Sequence, residues 1–275
     1  MARAASGGRH GFAQSLFQVG GQTGPAIGPL LAAFIVVPRG QTSLAWFSVL
    51  ALLAMIVLFH VGTWYQQYAR ALAAPKAAGT AMTTKATAAP TAVLLPIAVL
   101  TVLMVSKSAY TSSLSNYLTF YFIQKFGVGL QTAQVLLFAF LASQPVGSLV
   151  GGYLGDRIGR HRIIWFSIVG ALPFTLALPY VGLTASVVLV VLIGMIMASA
   201  FPAILVYAME LLPGKVGTVA GAFYGLAFGL GALSAAVLGR VADLTSLSTV
   251  YVMCSYLPLI GLMTWFLPRV ENGRG

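Results

Sequence analysis

Apolar residues run along this chain in long blocks, and short polar breaks separate them. A helix needs about 20 mostly apolar residues to cross the hydrocarbon core of a bilayer. Eight blocks meet that length: 11–37, 43–65, 92–124, 130–154, 162–183, 185–209, 217–239 and 246–268. The pattern predicts an all-α membrane protein of about eight transmembrane helices. The long polar break is 66–91, rich in Ala, Thr and Pro and carrying Arg70, Lys76 and Lys85. It reads as a flexible cytoplasmic linker. The chain then divides into 1–65 with two spans, the linker, and 92–275 with six.

Composition narrows the class. Of the 275 residues, 59% are hydrophobic and 7% charged, whereas a soluble domain carries roughly a quarter charged residues. The net charge of +11 is no mark of nucleic-acid binding, because the basic residues sit singly at the ends of apolar blocks, as topology-setting residues do. With the N-terminus inside, Arg3, Arg9, Arg70, Lys76, Lys85, Arg157, Arg160, Arg162, Lys215, Arg269 and Arg274 are cytoplasmic. Arg39, Lys125 and Arg240 are outside, and Lys107 falls within a span. The excess predicts both termini in the cytoplasm. Cys254 is the only cysteine, and His10, His60 and His161 are scattered. No disulfide within the chain and no metal site is therefore expected. Nor does the sequence show a pair of intramembrane carboxylates, a nucleophile–His arrangement or a P-loop, so an enzyme is not expected. No small-residue cleavage site follows the first block, and no cleaved signal peptide is expected.

Residues 151–162 read GGYLGDRIGRHR between two apolar blocks. Charges are costly in lipid, so this must be a tight aqueous turn, and its glycines let helices approach closely. The spacing of Gly152, Gly155, Asp156, Arg157, Gly159, Arg160 and Arg162 resembles the signature loop of the major facilitator superfamily of secondary transporters. Arginines alone would serve as topology anchors. An anchor would not need a carboxylate, so Asp156 favours a latch. Asp156 is expected to cap the helix start near Gly8–Gly11, where backbone N–H groups are free. Glu210 is expected to pair with Arg157 or Arg160.

On the first span, Gly11, Gly20, Gly24, Pro25 and Gly28 fit G-x8-G-x3-G-P-x2-G. This resembles the antiporter motif of drug:proton antiporters, with Pro29 standing where that motif has a second Gly. The glycines would form a close-packing face and the prolines would bend the helix; generic small-residue packing is the plainer alternative. Gln14, Gln18 and Gln22 recur every fourth residue, so they form one polar stripe. In lipid their amides would be unsatisfied, and the stripe is expected to face a cavity or a partner helix.

The third span bears on substrate. After an apolar start comes Lys107, then Tyr110, Ser112, Ser113, Ser115, Asn116, Tyr117, Thr119 and Tyr121, with no Gly or Pro between. One long helix is predicted, with Lys107 about 20 Å along it from Val93. A lysine at that depth marks a functional site with an anion as its natural partner; the alternative is a lysine snorkelling outward. The cavity candidates are Lys107, Tyr110, Asn116, Tyr117, Gln14, Gln18 and Gln22.

A weak internal repeat aligns Gly8–Gly11 with Gly214–Gly217, and Ser15 and Phe17 with Gly221 and Phe223. Spans one and two then correspond to spans seven and eight. Parallel repeats of six spans build the major facilitator fold. On that count the chain holds the last two helices of a first bundle and a complete second bundle, and four spans are expected to be missing ahead of them. The stretches GRHGFAQSLFQVGG, NYLTFYFIQKFG, ASAFPAILVYAMELLPG and AAVLGRVAD resemble the fosmidomycin-resistance branch of the superfamily. That resemblance implies an inner-membrane drug:proton antiporter that exports a phosphonate. It would use the proton gradient and no cofactor, bind lipid and a small anionic substrate, and work as a monomer. Asp156 and Glu210 fall at the inner surface, Asp243 in an outer loop and Glu271 in the tail. A coupling carboxylate is therefore expected in the missing part, and the 275 residues alone are expected to give no resistance. An inert or scaffolding membrane remnant, or a permease of the same fold with another substrate, are the other readings.

Overall fold

The computed structural model describes residues 10–73, 90–212 and 216–259; they form helices joined by short turns, with no strand among them. Among the described residues, seven segments are long and apolar enough to cross a membrane: His10–Arg39, Phe47–Trp64, Leu95–Phe126, Leu130–Ile158, Arg160–Tyr180, Leu183–Leu211 and Val216–Leu244. Each matches an apolar block of the sequence. Of the eighth block, the described part holds α10 (Leu247–Ser255) and a turn to Leu259; its remainder lies outside the described residues.

Proline and glycine set the local geometry. In α1 (His10–Leu31), Pro25 and Pro29 sit inside the helix. Proline offers no N–H to the ladder, and the helix widens into a π turn at Ala32–Val36 before the single turn α2 (Val37–Arg39). The π turn follows the two prolines directly along the chain. Next, α3 (Phe47–Ala73) continues past residue 65, and α4 (Pro90–Phe126) begins before 92. Helix therefore occupies both ends of the stretch expected as linker, and residues 74–89 lie outside the described residues. Pro96 does not break α4, which is one helix of 37 residues, about 55 Å long by the usual rise. Gly127, at φ 65°, ends it in the left-handed conformation, its N–H bonded to Ile123 O at 2.9 Å. Then come α5 (Leu130–Ile158), α6 (Arg160–Val169), α7 (Leu172–Ala177), α8 (Leu183–Leu211) and α9 (Val216–Leu244). The block read as one helix over 162–183 is broken at Gly170–Ala171, with Pro173 opening α7 and Pro179 ending it in a 3-10 turn. Asp243 lies on the last turn of α9 rather than in a loop.

The most apolar helix lies at the centre. α8 is buried over most of its length. Its Ile204, Leu205 and Ala208 pack with Leu100, Leu103 and Met104 of α4 and Ile164 of α6, all buried. α5 reaches α8 through glycine. A Cβ on Gly147 would overlap the main chain of Met195, one on Gly151 would overlap Ser199, and one on Gly194 would meet Ser143 Oγ and lie 3.0 Å from Phe140 O. Small-residue crossings of this kind bring helix backbones together where no hydrophobic force separates helix from lipid. α1 packs chiefly on α5 and also touches α8. The apolar side chains of α3, Leu50 to Phe59 among them, are exposed, as suits a lipid-facing helix.

Candidate functional site

The glycine-rich signature loop places its carboxylate on the end of a helix. Asp156, in the last turn of α5, accepts the backbone N–H of Gly11 on Oδ1 and of Phe12 on Oδ2, both at 2.9 Å. These are among the first N–H groups of α1, which have no partner within the helix, and the helix dipole favours an anion there. The contact requires glycine. A Cβ on Gly11 would lie 2.8 Å from Gly152 O, and one on Gly152 would lie 2.5 Å from Ser15 Oγ and 2.6 Å from Gly11 O. Arg160 is only 9% exposed; it lies 3.8 Å from Asp156 and forms its closest ion pair with Glu210 at the end of α8. One guanidinium thus joins the ends of α5, α6 and α8. Arg157 does not take Glu210; its guanidinium stacks 4.4 Å over the Tyr153 ring, one turn back on the exposed side. Arg162 is exposed. Gly159, at φ 97°, makes the sharp turn that brings Arg160 back beside Asp156.

Beyond this cluster lies a cavity of about 900 Å³, lined by α1, α4, α5, α8 and α9. Lys107 is on its wall, 7% exposed, with its ammonium 5.4 Å from the centre of the Phe201 ring. It does not snorkel outward. No Asp or Glu is among the lining residues. The ring face gives partial compensation for the buried charge. Phe201 also packs on Tyr224 at 5.2 Å, and Tyr224 stacks on Phe228.

The glutamine stripe faces inward, with three different fates. Gln14 Nε2 donates to Tyr224 OH at 2.9 Å and ties α1 to α9. Gln22 Oε1 accepts from Ser148 Oγ at 3.1 Å and lines the cavity. Gln18 lines it with Oε1 buried and unpaired. Asn116 is on the wall and donates to Ser112 O at 2.8 Å. Two candidates lie elsewhere. Tyr117 OH donates to Ala235 O at 2.6 Å and fastens α4 to α9. Tyr110 is 1% exposed and packs in the core with Tyr251 and Cys254. Both rings are on the polar stretch of α4, but that stretch turns through the full circle of the helix, so only part of it meets the cavity.

The antiporter-like motif is not a continuous packing face. Gly11 is packed on α5, while Gly20 and Pro25 line the cavity. A Cβ on Gly20, Gly24 or Gly28 would meet nothing within 4 Å. Among the closely packed glycines are Gly147 and Gly151 of α5, whose G-x3-G spacing is a recognisable signal for a close crossing. The wall residues Thr111 and Gln144 also went unsingled in the sequence; no pattern distinguishes a cavity-facing Thr or Gln from one facing another helix.

A profile of the Major Facilitator Superfamily matches residues 1–236 of the chain. The chain belongs to that superfamily. It is 52% identical over 270 residues to the Fosmidomycin resistance protein of Escherichia coli (strain K12), covering 98% of this chain and 65% of that protein. It is 37% identical over 270 residues to the Uncharacterized MFS-type transporter YfnC of Bacillus subtilis (strain 168), covering 98% and 66%. The chain therefore spans about two-thirds of the length of these relatives. It is a multi-pass membrane protein of a transporter family and not an enzyme.

Proposed function

We propose that the protein carrying this chain is a proton-coupled exporter of small anions of the fosmidomycin kind, seated in the cell inner membrane with both termini cytoplasmic. The observation that carries the reading is Lys107: a buried ammonium on the wall of a 900 Å³ cavity whose lining holds no carboxylate. A buried cation that meets only an aromatic face gains most from an anion. The name of the Escherichia coli relative, 52% identical, supports a phosphonate as that anion. The eleven basic residues on one side support the orientation. The energy source is the proton gradient, with no cofactor and one chain as the working unit. The ion pair of Arg160 with Glu210 and the Asp156 cap act as a latch on the cytoplasmic side. It closes when α1 rests on α5 and must break for the cavity to open inward.

A chimera tests this. The aligned 270 residues of the Escherichia coli relative are replaced by those of this chain, and fosmidomycin susceptibility is measured in a strain without its own exporter. The chimera should raise tolerance, and the chimera with Lys107→Ala should not, at equal membrane abundance. Tolerance that survives Lys107→Ala would remove the anion-binding role.

A further inference from the structure

The wall of the cavity holds polar atoms that the protein leaves without partners. Gln18 Oε1 on α1, Thr111 Oγ1 on α4 and Gln144 Nε2 on α5 are buried and make no hydrogen bond, and all three side chains line the cavity with Lys107. Native structures carry few such groups, and each asks for a reason. The reason is not crowding of the glutamine stripe. Its other members are used: Gln14 is bonded to Tyr224 and Gln22 to Ser148. Gln18, between them, has its oxygen unspent.

The four groups divide by chemistry. Lys107 and Thr111 are four residues apart on α4 and share a face. With the Gln144 amide they offer hydrogen-bond donors: an ammonium, a hydroxyl and an N–H. Gln18 Oε1 can only accept. The donors come from α4 (Lys107, Thr111) and α5 (Gln144), and the acceptor comes from α1, which packs on α5.

We propose that the cavity reads its ligand at two points: an oxyanion held by Lys107, Thr111 and Gln144, and a hydroxyl or N–H on the same ligand held by the carbonyl oxygen of Gln18. This rests on the reading that the cavity takes a small anion. It makes Gln18 a specificity-determining residue. A ligand with a donor satisfies Oε1. A ligand whose donor is blocked leaves Oε1 buried and unpaired, and the site discriminates against such analogues by the worth of that one hydrogen bond.

The test is equilibrium binding of two probes, 3-hydroxypropylphosphonate and 3-methoxypropylphosphonate, to the purified full chain in detergent. The hydroxyl probe should bind about fivefold tighter, the worth of one neutral hydrogen bond. In Gln18→Met the ratio should fall to about one. Gln144→Leu and Thr111→Val should weaken both probes together and keep the ratio. A partly misfolded variant loses capacity for both probes equally, so the ratio still reports. Equal affinities in the unmodified chain, or a ratio that survives Gln18→Met, would overturn the two-point reading while leaving the anion site standing. Failure of both probes to bind would remove the anion site and the two-point reading together.

Discussion

Asp156 and the glycines around it show how single residues fix one end of the helix bundle. The carboxylate accepts two backbone N–H groups of α1 and lies beside Arg160. Hydrogen bonds to a charged group contribute about 1.5–3 kcal/mol each. Asp156→Ala should therefore lower stability by roughly 2–4 kcal/mol, after some recovery of the N–H groups by water. Thermal unfolding in detergent measures it. Glycines separate into two kinds. Gly152→Ala puts a Cβ 2.5 Å from Ser15 Oγ and 2.6 Å from Gly11 O, and overpacking of this sort costs about 1–3 kcal/mol. Gly24→Ala meets nothing within 4 Å and should raise helix stability by up to about 1 kcal/mol. The same thermal assay should thus move in opposite directions for the two variants. Equal losses would contradict the packing described.

At the scale of elements, length and apolarity were legible and interruptions were not. A run of 20 apolar residues has one stable form in lipid, so the seven described spans follow from the sequence. The signature loop was legible for the same reason: charge in an apolar chain has few places to go. The break at Gly170–Ala171 and the π turn at Ala32–Val36 were not, because proline marks a perturbed ladder without specifying how neighbours repair it. For the site, Lys107 and Gln18 were legible as polar residues within apolar spans. Tyr110 and Tyr117 were placed wrongly because identity does not reveal which side of a long helix a ring occupies. Gly24 and Gly28 were expected to pack because spacing alone names a face but not its partner. Topology belongs to this scale as well. In a Cys254→Ala background, a single cysteine at Gly129, in the turn before α5, should react with an impermeant reagent applied outside intact cells. One at Arg157, exposed beside the signature loop, should not. The reverse pattern would invert the proposed orientation.

For the whole molecule, the contacts form two levels along the helices. The Asp156–Arg160–Glu210 cluster joins the ends of α1, α5, α6 and α8, and Gln14–Tyr224 joins α1 to α9 one turn farther in. The cavity lies beyond, with Lys107 on Phe201 at its wall. In the proposed cycle the anion binds at Lys107 while the latch is closed, and α1 parts from α5 to release the latch. The central claim is that Lys107 holds the anion. Equilibrium binding of fosmidomycin to the purified chain tests it most directly. Replacing Lys107 by Ala removes a charge-assisted hydrogen bond, so affinity should fall about 10- to 100-fold, with Lys107→Arg retaining more of it than Lys107→Ala. Unchanged affinity in Lys107→Ala, with the variant folded to the same melting temperature, would contradict the account.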